Sequence, residues 1–313
     1  MSRDAGLEGE DRALAEVFAI LASEHASGFA VPPGHDCAVL SLPTREVVVT
    51  TDVLVDGVHF ELAACGPEAA AAKSLLVNLS DLAAAAATPV GFEVGVVLPA
   101  KRDPQLLVRL ARGLASVAER YDCPCAGGDT NVAHGPLTLA VTAFGAVGPG
   151  GVVTRAGAEV GDRLSVTGPL GGSRSGRHLT FVPRLAEARV LAERRVAHAM
   201  MDLSDGLSRD LPRLCRASGV GAEIEADAVP VHADVLDGSL RSALDDGEDF
   251  ELLVAHAALD GADRAALRAA GVVLHEIGEV VGAERGIHLR TADGVRPLVP
   301  RGFDHLLGDA GHG

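Results

Sequence analysis

The chain has no tryptophan, one tyrosine and only 3% aromatic residues in 313. Nucleic-acid surfaces that stack bases need aromatic faces, so this poverty argues against that class of function. The charge argues the same way: 43 acidic against 27 basic residues give −16, which repels a phosphate backbone. Lysine is almost missing, with Lys73 and Lys101 alone among the basic residues and arginine supplying the rest. Neither lysine sits in a Gly-x-x-x-x-Gly-Lys-Ser/Thr loop, which excludes Walker-type phosphate binding and leaves almost no room for Schiff-base chemistry. Cysteine is sparse too. Cys123 and Cys125 are too close together for a usual zinc knuckle and no second pair exists. An odd cysteine count without a secretory leader predicts reduced, cytoplasmic thiols. Residues 130–154 carry no Asp, Glu, Lys or Arg, but five glycines and two prolines break the run. Its apolar heart at 137–147 predicts a buried strand and no membrane span.

What is present suits a large core: 48% of residues are hydrophobic and 22% charged. Such a length favours two domains, and the Gly148-Pro-Gly-Gly151 run divides them at 1–150 and 151–313. Apolar spacing predicts helices over 9–27, 67–87, 104–121, 183–199, 207–218 and 260–270. Thr88-Pro89 is the expected stop of the second. Strands are predicted over 46–51, 92–98, 137–147, 163–167, 250–255 and 272–281. This alternation is the signature of an α/β fold.

The most informative pattern is a set of aspartates at the ends of apolar segments, each beside small or hydroxyl residues. These are Gly34-His35-Asp36, Thr50-Thr51-Asp52, Asn78-Leu-Ser-Asp81, Gly127-Gly128-Asp129-Thr130 and Asp202-Leu-Ser204-Asp205-Gly206. Magnesium takes oxygen ligands and is usually held by carboxylates plus substrate phosphates. Adjacent Ser, Thr and Gly N–H groups suit phosphate oxygens. Together they fit a nucleotide site in which the metal carries the positive charge that lysine does not. Each alone also fits a helix cap or a tight turn.

The wording of these segments resembles the thiamine-monophosphate kinase family from about residue 7 to 306. The resemblance rests on Thr50-Thr-Asp-Val-Leu-Val-Asp-Gly-Val-His-Phe60, Lys73-Ser-Leu-Leu-Val-Asn-Leu-Ser-Asp81 and Gly127-Gly-Asp-Thr130. It continues through Thr154-Arg-Ala-Gly157, Met201-Asp-Leu-Ser-Asp-Gly206, Gly247-Glu-Asp-Phe-Glu-Leu252 and Gly302-Phe-Asp-His305. It implies two domains of the aminoimidazole ribonucleotide synthetase-like type. The first would carry a mixed sheet, the ATP and Mg²⁺ site and a homodimer interface; the second, α/β, would complete the substrate cleft. Relatives in that superfamily include selenophosphate synthetase, which needs an N-terminal Cys or selenocysteine with a Lys. No lysine precedes Lys73 here. A hydrogenase maturation factor carries a C-terminal cysteine, whereas this sequence ends Gly-His-Gly.

By the same resemblance, Asp36, Thr50, Thr51, Asp52, Asp81, Asp129 and Asp202 hold several Mg²⁺ ions, with Asp205 near a further one. Tyr121, Gly128, Asp129, Arg155 and Ser204 contact ATP. His59, Glu248 and Phe303 contact thiamine monophosphate. The implied reaction is in-line transfer from ATP to a phosphate oxygen, assisted by metal and Arg155, with no protein base and no phosphoenzyme. Two departures stand out. His35 replaces an acid usual in the family, and the segment after Ser173 is shorter than in many members. They leave open a different acceptor, or a nucleotide-binding protein without turnover.

Overall fold

The computed structural model describes residues 16–17, 19–21, 29–31, 39–40, 46–235 and 239–302. His35, Asp36 and Phe303 lie outside the described residues, as does most of the helix predicted over 9–27; its described residues are helical. The chain forms two compact units. One comprises Met1–Leu82 with Thr88–Val147, the other Ala83–Ala87 with Gly148–Gly313.

A short antiparallel pair comes first, β1 (Phe29–Val31) with β2 (Val39–Leu40). The first unit is then built on four strands in the order β3-β6-β4-β5. They are β3 (Val47–Val55), β4 (Ala87–Pro99), β5 (Cys125–Ala133) and β6 (Thr138–Val147). β3 and β6 run antiparallel while β4 and β5 run parallel, so the sheet is mixed. Its helices are α1 (Leu62–Ala84) and α2 (Leu106–Tyr121). α1 breaks at Gly66, whose φ is 78°, and resumes at Pro67, a residue suited to a helix's first turn. The predicted stop at Thr88-Pro89 is corrected. The helix ends at Ala84, Ala86 turns left-handed at φ 56°, and Thr88 and Pro89 belong to β4. α2 approaches α1 at Gly113, where a Cβ would fall 2.2 Å from the Glu68 carbonyl oxygen.

The second unit carries seven strands in the order β13-β12-β9-β11-β7-β10-β8. These are β7 (Arg163–Val166), β8 (Ala197–Asp202), β9 (Val220–Glu225), β10 (Leu252–His256), β11 (His275–Gly282), β12 (Ile287–Thr291) and β13 (Gly294–Pro297). Neighbours pair antiparallel except β12 with β9. Its helices are α3 (Leu185–Glu193), α4 (Leu207–Ser218), α5 (Leu240–Asp245) and α6 (Gly261–Ala269). The helix predicted over 183–199 is therefore too long. It ends at Glu193, Arg195 is left-handed at φ 53°, and the chain re-enters as β8. The reason is burial on both faces. Ala199 and Met201 enter one apolar cluster while Met200 enters another. A strand with apolar residues on both sides loses the alternation that marks strands in sequence.

Candidate active site

In the first unit the site grows from the two-residue period of β3. Thr50, Asp52 and Leu54 point to one face, and Val49, Thr51 and Val53 to the other, which is exposed. On the inner face Thr50 and Asp52 meet Asp81, carried by α1 and 31 residues from Thr50. The Thr50 hydroxyl donates to Asp81 Oδ2 at 2.5 Å. Burial, then the like charge and hydrogen bond of Asp81, push the Asp52 carboxyl up to about 7. Two desolvated carboxylates this close repel each other unless a proton or a cation intervenes. Together with a hydroxyl they form the all-oxygen donor set that suits Mg²⁺.

The other residues expected of this unit do not join that cluster. Thr51 lies on the opposite face, hydrogen-bonded to Thr142 at 2.8 Å. Asp129 pairs with Gly95 across β4 and β5, and Gly95 abuts Ala140, the partner of Val53. That register sets Asp129 on the exposed face, at the far edge of the sheet. Three strand spacings separate β3 from β5, about 14 Å. Among the described residues, no group of three or more His, Cys, Asp or Glu converges as a metal cage. Gly128 is required by packing, since a Cβ there would meet the Val94 carbonyl at 2.2 Å. Tyr121 ends α2 with the Arg120 guanidinium 5.2 Å from its ring centre.

His59 follows β3 in a turn held from two sides. Its Nδ1 accepts the Val55 N–H at 3.1 Å, so the ring proton sits on Nε2. Its carbonyl accepts from Lys73 Nζ at 2.5 Å. Lys73 is fully buried on α1, which composition could not reveal. Asp56 Oδ1 accepts the Leu62 N–H and caps the helix start.

In the second unit the segments 201–206 and 247–252 are stitched together through the backbone. Glu248 N–H donates to the Ser204 carbonyl at 2.7 Å, Phe250 N–H to Leu203 at 2.9 Å, and Leu203 N–H to Glu251 at 2.9 Å. Asp202, Ser204, Asp205 and Glu248 are thereby gathered in one neighbourhood. Asp202 is buried at the end of β8. Asp205 is ion-paired to Arg213 at 2.6 Å, and its N–H donates to Asp210 Oδ2 at 2.9 Å. Arg155 is exposed, and its carbonyl accepts the Ser218 hydroxyl.

Sequence reasoning missed the buried ionic network beneath Glu248. Asp249 Oδ1 accepts the Gly171 N–H at 2.7 Å and faces Arg177 at 3.3 Å. Glu251 accepts both nitrogens of the Arg184 fork at 2.7 Å, Arg177 at 3.0 Å and the Thr167 hydroxyl at 2.7 Å. Burial above all pushes the Asp249 carboxyl up to about 8. No local period could have revealed it, because Phe250 between the two acids is left-handed at φ 53° and the chain there is not extended.

Residues 34–147 match the family model for the AIR synthase related protein, N-terminal domain, and residues 147–289 that for the C-terminal domain. The thiamine-monophosphate kinase of Synechococcus elongatus is 37% identical over 302 residues, covering 87% of this chain and 91% of that protein. That of Rhodopirellula baltica is 36% identical over 295 residues, covering 88% and 91%. Among solved structures, the thiamine-monophosphate kinase of Stenotrophomonas maltophilia K279a superposes with a TM-score of 0.76 at 30% identity, covering 88% of this chain and 95% of that one. The structure described as AaThiL complexed with AMPPCP and TMP gives 0.74 at 27%, covering 95% and 97%. The hydrogenase maturation protein HypE, at 18% identity and 0.73, shares the fold alone.

Proposed function

We propose a function from one premise: this chain belongs to the AIR synthase related protein family and, within it, to the thiamine-monophosphate kinases. Its activity is ATP-dependent phosphorylation of thiamine monophosphate to thiamine diphosphate. The observation that carries this reading is Thr50, Asp52 and Asp81 meeting on the inner face of the first sheet.

Thr50, Asp52 and Asp81 would hold one Mg²⁺ in this proposal; Thr51 and Asp129, on the opposite face of the sheet, and Asp36, Asp202 and Asp205 are proposed as ligands of further ions. When bound there, Mg²⁺ would supply positive charge to offset the negative charge of the phosphates. The attacking phosphate oxygen is largely ionised at neutral pH, since its second pKa lies near 6. This chain therefore needs no residue to remove a proton. Arg155 adds charge at the transferring group. Tyr121, Gly128 and Ser204 line the nucleotide. His59 offers its Nε2 proton to the acceptor phosphate, while Glu248 faces the positive ring and Phe303 stacks on it.

A coupled ADP-release assay with thiamine monophosphate and a small panel of phosphate and carboxylate acceptors tests the reaction. Release only with thiamine monophosphate is the expected result, and ATP binding without ADP from any acceptor overturns it. Phe303→Ala and Glu248→Gln raise the KM for thiamine monophosphate by roughly 2- to 30-fold and leave that for ATP nearly constant. A change in the ATP constant alone would assign both residues to the nucleotide.

The active form is a homodimer joined through the first unit's sheets. Support comes from the exposed face of β3, where Val49 and Val53 are 56% and 49% exposed. Light scattering of a fully active enzyme at micromolar concentration yields twice the chain mass; a monomer contradicts the assignment. The enzyme works in the cytoplasm. Supporting this, the four described cysteines are free thiols, as a reducing compartment would keep them.

A further inference from the structure

The backbone that carries Glu248 is unusual. Gly247, Glu248 and Phe250 all adopt positive φ, at 71°, 52° and 53°. Left-handed backbone is natural for glycine but strained at other residues, and it persists only where surroundings over-determine it. Here the surroundings come from one short stretch. Phe181 stacks on Phe250 with ring centres 4.0 Å apart and planes 21° apart. Arg184 grips Glu251 through two nitrogens. Arg177 spans both acids, reaching Asp249 Oδ1 at 3.3 Å and Glu251 Oε1 at 3.0 Å, and it also donates to the Gly171 carbonyl at 3.1 Å. These three residues all lie in one segment, Arg177 to Arg184, that follows Ser173.

We infer that Arg177 is a positioning residue for the acceptor, clamping the strained Gly247–Glu251 loop so that Glu248 is presented in one fixed pose. The inference rests on the proposed function for Glu248's role, but the clamp itself rests on contacts within the second unit. The geometry explains why an arginine stands there. Its planar fork reaches Asp249, Glu251 and the Gly171 carbonyl at once, whereas a lysine offers a point charge on a flexible stem. Without the fork, the loop is free to relax toward ordinary φ values, and the pose of Glu248 is lost before any contact with ATP changes. One stretch of eight residues thus sets Arg177, Phe181 and Arg184 against the loop.

The test compares wild type with Arg177→Met, which keeps the stem, and Arg177→Lys, which keeps the charge. Steady-state constants are measured for both substrates, and amide exchange is followed at residues 247–251. In Arg177→Met, KM for thiamine monophosphate rises about tenfold and that for ATP stays within about twofold. Arg177→Lys falls between. The Glu248 and Phe250 amides exchange faster in both. Equal shifts in the two constants, or a lower melting temperature with neither constant changed, overturn the inference. Should Arg177→Met not fold, Arg177→Lys decides, and wild-type constants with wild-type exchange in that variant overturn it. A wild type that releases no ADP with thiamine monophosphate overturns the functional reading instead, and exchange at 247–251 then decides the clamp by itself.

Discussion

Asp52→Ala should lower turnover by about a thousandfold or more, the scale of losing a main electrostatic support of the transferring phosphate. The same substitution should make the metal-free protein more stable. Asp52 is half-buried beside Asp81, so its charge is desolvated and repelled at once. Removing it is worth about 1 kcal/mol, which raises the melting temperature by roughly 2–4 °C in a unit of this size. Asp129→Ala is the informative companion. Its carboxylate is exposed on the other face of the sheet, so its removal should bring no gain in stability, while activity should still fall if it holds a further ion. Kinetics at saturating Mg²⁺ and calorimetry without it separate the two effects. Wild-type rates for Asp52→Ala would falsify the assignment of the carboxylate pair.

Glu251→Ala should be the most destabilising single change in the second unit. Its carboxylate is buried and receives bonds from Arg177, Arg184 and Thr167. Deleting one partner of a buried ionic cluster strands the others, at a cost of about 3–5 kcal/mol. Calorimetry should show the melting temperature down by roughly 10 °C. A shift of only a degree or two means that the arginines find new partners. Asp249→Asn should behave in the opposite sense. The Asp249 carboxyl is raised from 3.8 to about 8, so between those pH values the folded chain keeps a proton that the unfolded chain releases. Wild-type stability therefore declines as pH rises through that range. Thermal melts at pH 5 and pH 8 should show a smaller decline in the Asn variant, and equal declines would show Asp249 charged throughout.

Local pattern carried much of this architecture. The β-branched run at Glu46–Thr51 announced β3, but the resemblance groups Thr51 with Thr50 and Asp52, from which the strand's alternation separates it. The glycines and the aspartate of 127–130 fitted a nucleotide site or a tight turn, because nothing local reveals that β5 lies parallel to β4. Strand β8 contributes to two cores at once, so it lacked a polar face to mark it, whereas β10, equally apolar, was legible as a strand at 250–255. The ionic network was invisible for another reason. Arg177 and Glu251 are 74 residues apart, and only the pairing of β10 between β7 and β8 brings their neighbourhoods together. Motif resemblance supplied the roles of His59 and Glu248, but not Lys73 beneath the one or the clamp around the other.

The burial of Lys73 has a practical consequence for anyone handling the protein. Of the two lysines in the sequence, Lys73 is sealed within α1 and holds the His59 carbonyl, whereas Lys101 is exposed just beyond β4. Acylating reagents aimed at amines thus meet a single side-chain target on the folded protein. A fluorophore or a surface linker attached there reports on one known point, without any engineered handle. Uptake of a second label at Lys73 would become a chemical count of molecules whose first unit has opened.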